Sequence, residues 1–160
     1  GAILDTSGLK GPLVFPFLGR ASLTVNDDTS GQFDSIPSAQ SDLLLFGGTE
    51  NNVYLGCLTC GQFDTESVCN EFGTYGSEFS STSIWNEFGT YGSQFSSDSP
   101  WNEFSSSGPI ILDADNVFYG RFTTNASVSD RTTNAAFLNV LNYFSSTNDL
   151  AATRTFACGN

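Results

Sequence analysis

Four cysteines and a row of glutamates are the residues whose types and spacing bear on chemistry. Cys57-x2-Cys60 has the spacing of half a zinc site or of a redox pair, with Cys69 and Cys158 as further sulfurs. A zinc site needs a second close pair or histidines, and the chain has no histidine. An all-thiolate site that recruits Cys158 is the metal option left. Thioredoxin-like redox chemistry wants a helix start after the pair, and none follows. An even cysteine count in an acidic chain favours two disulfides, with three connectivities open. The expectation is one bridge closed locally among Cys57, Cys60 and Cys69, and one tying Cys158 to the preceding repeat. Closing that long loop stabilises by about 4 kcal/mol in the chain-entropy picture.

Glu71, Glu87 and Glu103 recur every 16 residues. If equivalent positions stack about 5 Å apart, their carboxylates repel by ~1 kcal/mol per neighbour in water. Such a column either faces solvent or shares a cation, and calcium is the cation that takes carboxylate and carbonyl oxygens. Asp64, Glu66, Glu78 and Asp98 stand by as added ligands. Asp113-Ala-Asp115-Asn116 lacks the glycine and distal glutamate of an EF-hand loop and reads as a hairpin turn. No other cofactor is implied. Without histidine there is no Ser-His-Asp or Cys-His arrangement. Phosphate loops and dinucleotide fingerprints are absent as well. With 17 acidic residues, paired carboxylates arise by chance and carry no signal for glycoside cleavage. The sequence therefore predicts a chain that is not an enzyme.

What must position these residues is a repeat. Phenylalanines fall at 63, 72, 79, 88, 95 and 104, with Cys69, Trp85 and Trp101 at equivalent places between them. A fixed period means one small unit stacked on its copies. Stacking would align Ser67, Ser83 and Ser99 in one column and Asn70, Asn86 and Asn102 in another. Identical aromatics in a column fill an interior, so Phe63, Phe72, Phe79, Phe88, Phe95, Phe104, Trp85 and Trp101 are the expected repeat core. The two tryptophans also invite a sugar-stacking reading. Glycines at 73, 76, 89 and 92 allow the tight corners that a short coil needs.

Composition bounds the rest. The chain has 160 residues, enough for one domain with a real core. Its net charge is −12, with Lys10, Arg20, Arg121, Arg131 and Arg154 as its cations. That balance argues against nucleic acid and against an anionic membrane surface. No apolar run approaches the ~18 residues of a membrane span. The chain opens at Gly1 with no methionine and no leader, which reads as a mature exported product.

Along the chain, Arg20–Asn26 alternates like a half-buried strand. Leu43–Phe46 and Val53–Leu55 flank a Gly-Gly-Thr-Glu-Asn-Asn turn and predict a hairpin. A second hairpin is expected over 109–122, turning at Asp113–Asn116. Phe137, Val140, Leu141 and Phe144 form one apolar stripe at helical spacing, with Ser129 or Asp130 as its cap. A last strand is expected over Thr153–Ala157. The N-terminal segment carries Ile3, Leu4, Leu13, Val14 and Phe15 as an assembly arm, which Pro12 and Pro16 bias towards an extended or edge position.

Val53-Tyr-Leu-Gly-Cys-Leu-Thr-Cys60, Ser67-Val-Cys-Asn-Glu-Phe-Gly-Thr-Tyr-Gly-Ser77 and Ser83-Ile-Trp-Asn-Glu-Phe-Gly-Thr-Tyr-Gly-Ser93 resemble a group of uncharacterised bacterial exported proteins. These carry the patterns LGCLxC, SVCNEYGxYGS and SIWNEYGxYGS. Gly108–Gly120 is similar to their PPVIVDxxGNFYG. The resemblance covers roughly Leu43 to Arg131. In some relatives the domain is appended to thermonuclease-like enzymes, so the resemblance implies an accessory module and brings no catalytic residues. This chain has Phe where those relatives often have Tyr.

The fold class expected is mainly β: a short 16-residue-period aromatic repeat stack flanked by β-hairpins, with one C-terminal amphipathic helix. A single domain over 1–160 divides into an N-terminal β arm and hairpin (1–52), the repeat (53–108), and a hairpin, helix and strand (109–160). The function expected is a non-enzymatic extracellular or cell-surface structural or adhesive module. It would self-assemble into a fibre or layer through its arm and strand edges. Its partner would be itself, without nucleic acid or membrane insertion. The alternative is a calcium- or carbohydrate-binding accessory domain.

Overall fold

The computed structural model describes residues 31–35 and 42–159. The assembly arm (Ile3, Leu4, Leu13, Val14, Phe15) and the Arg20–Asn26 strand lie outside the described residues. Both expected hairpins form. Strands β1 (Leu44–Gly47) and β2 (Val53–Cys57) pair antiparallel. Strands β3 (Ile110–Leu112) and β4 (Phe118–Arg121) do the same around a turn where Asn116 takes φ 66°. Asp113 holds that turn by accepting from the N–H groups of Asp115 and Val117 and from the Tyr119 hydroxyl.

The hairpins then join. β1 pairs antiparallel with β3, Leu44 opposite Leu112, giving the order β2-β1-β3-β4. Nothing local in the sequence announces this contact across more than sixty residues. Gly56, at φ 113°, sits beside a register shift in the β1–β2 pair, where a side chain would strike Tyr75 and Val68.

Helix α1 (Ala135–Thr147) buries the expected stripe of Phe137, Val140, Leu141 and Phe144. Its cap is Asn134, whose side chain accepts from the Phe137 N–H, and not Ser129 or Asp130. The segment expected as a last strand is a second helix, α2 (Leu150–Cys158). Asp149 caps it by accepting from Ala152 N–H, Gly159 ends it at φ 78°, and Phe156 stacks on Tyr143 of α1 at 4.5 Å. The alternation of Thr153, Thr155 and Ala157 mimicked a strand, but caps at both ends and a stacking partner favour helix. The fold is thus mixed, a four-stranded antiparallel sheet with two C-terminal helices, rather than mainly β.

Between the hairpins, residues 61–107 form successive turns with a single bridge residue, Ser67. Backbone bonds run from Asn70 N–H to Ser67 O, Gly73 to Asn70, Ser80 to Ser77, and Ser83 to Ser80, and then repeat from Asn86 to Ser83. Side chains brace each corner. Ser67, Ser83 and Ser99 accept from the N–H groups of Cys69, Trp85 and Trp101. Ser and Asn suit this work because their short polar groups reach backbone two residues on.

Trp85 and Trp101 are buried, as expected, at 3% and 2% exposure. Each indole N–H donates at 2.7 Å to a carbonyl 17 residues earlier, Val68 and Ile84 respectively. The two rings stack at 5.6 Å, and Trp101 also meets Phe122 and Phe144. Phe122 and Phe137 meet Phe33, from a 3-10 turn (Gln32–Ser35), so one aromatic chain joins turns, sheet and helix.

The phenylalanine expectation is wrong. Phe63, Phe72, Phe79, Phe88, Phe95 and Phe104 are not core but lie between 83% and 91% exposed. The reason is space. A Cβ placed on Gly76 would lie 2.1 Å from the Asn70 carbonyl oxygen, and one on Gly92 would lie 2.0 Å from that of Asn86. Backbone packs on backbone there, and the interior left over holds Val68, Ile84 and the indoles.

Candidate interaction surface

The exposed rings are held on stiff supports. Asn70, Asn86 and Asn102 accept through Oδ1 from the N–H groups of Phe72, Phe88 and Phe104, at 3.0, 3.1 and 3.0 Å. Through Nδ2 the same asparagines donate to the carbonyls of Asp64, Ser80 and Ser96. Ser77 and Ser93 do the first job for Phe79 and Phe95. The backbone N–H groups of five of the six ring-bearing residues are therefore bonded internally and need no outside partner. None of the six rings makes a ring contact among the described residues.

Four of the six phenylalanines follow a glutamate directly: Glu71, Glu78, Glu87 and Glu103. All four glutamates are exposed. The only ion pair among the described residues is elsewhere, Arg121 to Asp130 at 3.5 Å. Arg154, partly buried on α2, feels Glu71 and Glu78, but burial dominates and lowers its pKa. Its Nε and one terminal nitrogen have no hydrogen-bond partner. Glu87 and Glu103 have no cation in salt-bridge reach among the described residues.

Where this face meets α1 there is a shallow hollow of about 370 Å³. Phe95 and Phe104 border it, with Gln94, Asn102 and Glu103, and the tryptophan at 101 lies beneath. The hollow places the rings of Phe95 and Phe104 beside the Glu103 carboxylate.

The sulfurs form two bridges, Cys57–Cys60 and Cys69–Cys158, matching one local closure and one tie to the C-terminus. No cysteine is free. Asp42 lies with the first pair in the only metal-like grouping among the described residues, but both sulfurs there are spent on each other. Glu71, Glu87 and Glu103 do not converge into such a grouping.

Two tyrosines stand out electrostatically. Burial, then the hydrogen bond to Asp113, pushes Tyr119 up to about 12. Tyr54 is raised further by burial and by its 2.6 Å bond to Glu66. Both phenols sit on strands, Tyr54 in β2 and Tyr119 in β4, and each donates to a carboxylate.

The feature that reading the repeat missed is the exposure of its phenylalanines. The signal that would have found it is the small residues, glycine and serine, that leave the coil no width. Two disulfides indicate an oxidising environment. No helix among the described residues is long and apolar enough to cross a membrane. No protein-family model, curated protein or solved structure matches this chain.

Proposed function

We propose that this chain is a non-enzymatic structural or adhesive module working outside the cell, and that it self-assembles. The observation that carries the reading is six phenylalanines, each more than four-fifths exposed, on a scaffold braced by its own side chains. Exposed aromatic arrays of this extent mark interaction surfaces. In this reading the 16-residue units stack as coils of a short shaft. The indole bonds reaching 17 residues back and the Trp85–Trp101 stack support that arrangement. The Cys69–Cys158 bridge locks the shaft to α2. The resemblance to exported accessory modules agrees with a role beside, rather than in, catalysis.

Sedimentation and electron microscopy of the native protein test this. Polymers that disappear in Phe79→Ser/Phe88→Ser, with unfolding unchanged, are the expected result. A wild-type chain that stays monomeric at every concentration and adheres to nothing sinks the reading.

The hollow favours a second reading, a carbohydrate-binding module. Phe95 and Phe104 offer ring faces, and Gln94, Asn102 and Asn148 offer amides. Retention on insoluble polysaccharide, abolished by Phe104→Ala, would select it.

A further inference from the structure

The phenylalanine rows have a natural occupant in the chain's own N-terminal segment. Residues 6–26 contain no acidic residue and hold Lys10 and Arg20, two of the five cations, although the whole chain carries −12. Between those cations lie Leu13, Val14, Phe15, Phe17 and Leu18, interrupted by Pro12 and Pro16. Prolines of this kind disfavour helix and favour an extended backbone that can lie along a groove. Ten residues so extended span up to about 35 Å, enough for two cations to reach different glutamates of the row.

We infer that residues 6–26 of one copy bind along the Phe/Glu face of a second copy, with Lys10 and Arg20 on its glutamates. This rests on the self-assembly reading and names the surface that it uses. The hollow beside Phe95, Phe104 and Glu103 is one station of that face. Phe79, Phe88 and Glu87 stand sixteen residues earlier and repeat it. A guanidinium stacks on a ring face while its fork bonds a carboxylate, and the paired types here supply both. Charge also selects among occupants. Two such faces repel each other through their glutamates, and so does an anionic lipid surface. An arm-to-face contact is heterologous and does not close, so it builds a filament.

Two full-length variants test this. One reverses the face (Glu71→Lys, Glu87→Lys, Glu103→Lys), the other the arm (Lys10→Glu, Arg20→Glu). The changed glutamates are exposed, and circular dichroism verifies that both variants fold. Each alone should lose assembly by about tenfold or more. Mixed, they should assemble again as alternating copies, because the native arm of one meets the native face of the other and the reversed arm meets the reversed face with the charges exchanged. Polymers of undiminished size in the face-reversed variant overturn this inference and leave self-assembly standing. A mixture that stays monomeric while the wild type polymerises overturns it too. A wild type that never assembles overturns both.

Discussion

Phe104 and Phe122 are the same residue type, yet the first is 86% exposed and the second fully buried. They belong to two regions that solve the folding problem differently. In the sheet and helices, apolar side chains point inward and backbone groups pair along strands and helix turns. In residues 61–107 the short polar side chains do the bracing, the backbone packs on itself, and six phenylalanine rings point out while Trp85 and Trp101 point in. A region whose turns are braced by serine and asparagine, over a narrow buried strip of Val68, Ile84 and two indoles, can display large apolar groups on its surface.

The largest expected effect comes where the two regions share one side chain. Trp101→Ala removes a buried indole that touches Trp85, Phe122 and Phe144 and leaves the Ile84 carbonyl without its donor. A loss of about 5 kcal/mol is expected in denaturant unfolding, from the cavity plus the unpaired carbonyl. A loss below ~2 kcal/mol would mean that the turn region does not lean on the body. Next comes the covalent tie. Replacing both Cys69 and Cys158 by Ala opens a bridge between positions 89 apart in sequence and should cost about 4 kcal/mol. Losing the Cys57–Cys60 bridge, with a separation of 3, should cost about half of that. Equal effects would count against the view that the long bridge binds two regions.

A smaller effect is confined to the body. Tyr119 titrates near 12 when folded, above its ordinary value of 10. The neutral phenol is thus favoured by folding, and its contribution is fully present below pH 10. It fades as pH rises from 10 towards 12. Ultraviolet titration should show late-ionising phenols, Tyr54 and Tyr119 among them, and the Tyr119 component should move earlier in Asp113→Asn. An unchanged titration would remove the Tyr119–Asp113 bond from the account of the turn.

Much of the body was readable because its signals are local and periodic. The stripe at Phe137, Val140, Leu141 and Phe144 has helical spacing, and both hairpins have turn residues between short apolar runs. The β1–β3 pairing was hidden because Leu44 and Leu112 are joined only by tertiary packing. The second helix was hidden because Thr153, Thr155 and Ala157 alternate like a strand while its caps lie outside that window. At the candidate surface, period and type were legible, and so was the burial of both tryptophans. Side-chain direction was not. Ser83 and Asn86 make the same turn, but the ring after one is buried Trp85 and the ring after the other is exposed Phe88. Only the width left by the glycines decides between them.

That last pair gives the smallest and sharpest test. Phe88 is 91% exposed and makes no ring contact among the described residues, so Phe88→Ala should move unfolding by no more than about 0.5 kcal/mol. Trp85→Ala, three residues earlier, should cost about 4 kcal/mol, because its ring is buried and its N–H is bonded to Val68. Paired denaturant curves on the two variants measure the contrast directly. If Phe88→Ala costs 2 kcal/mol or more, its ring is holding neighbouring turns together. The phenylalanine rows would then be structural ribs and not a surface kept for a partner.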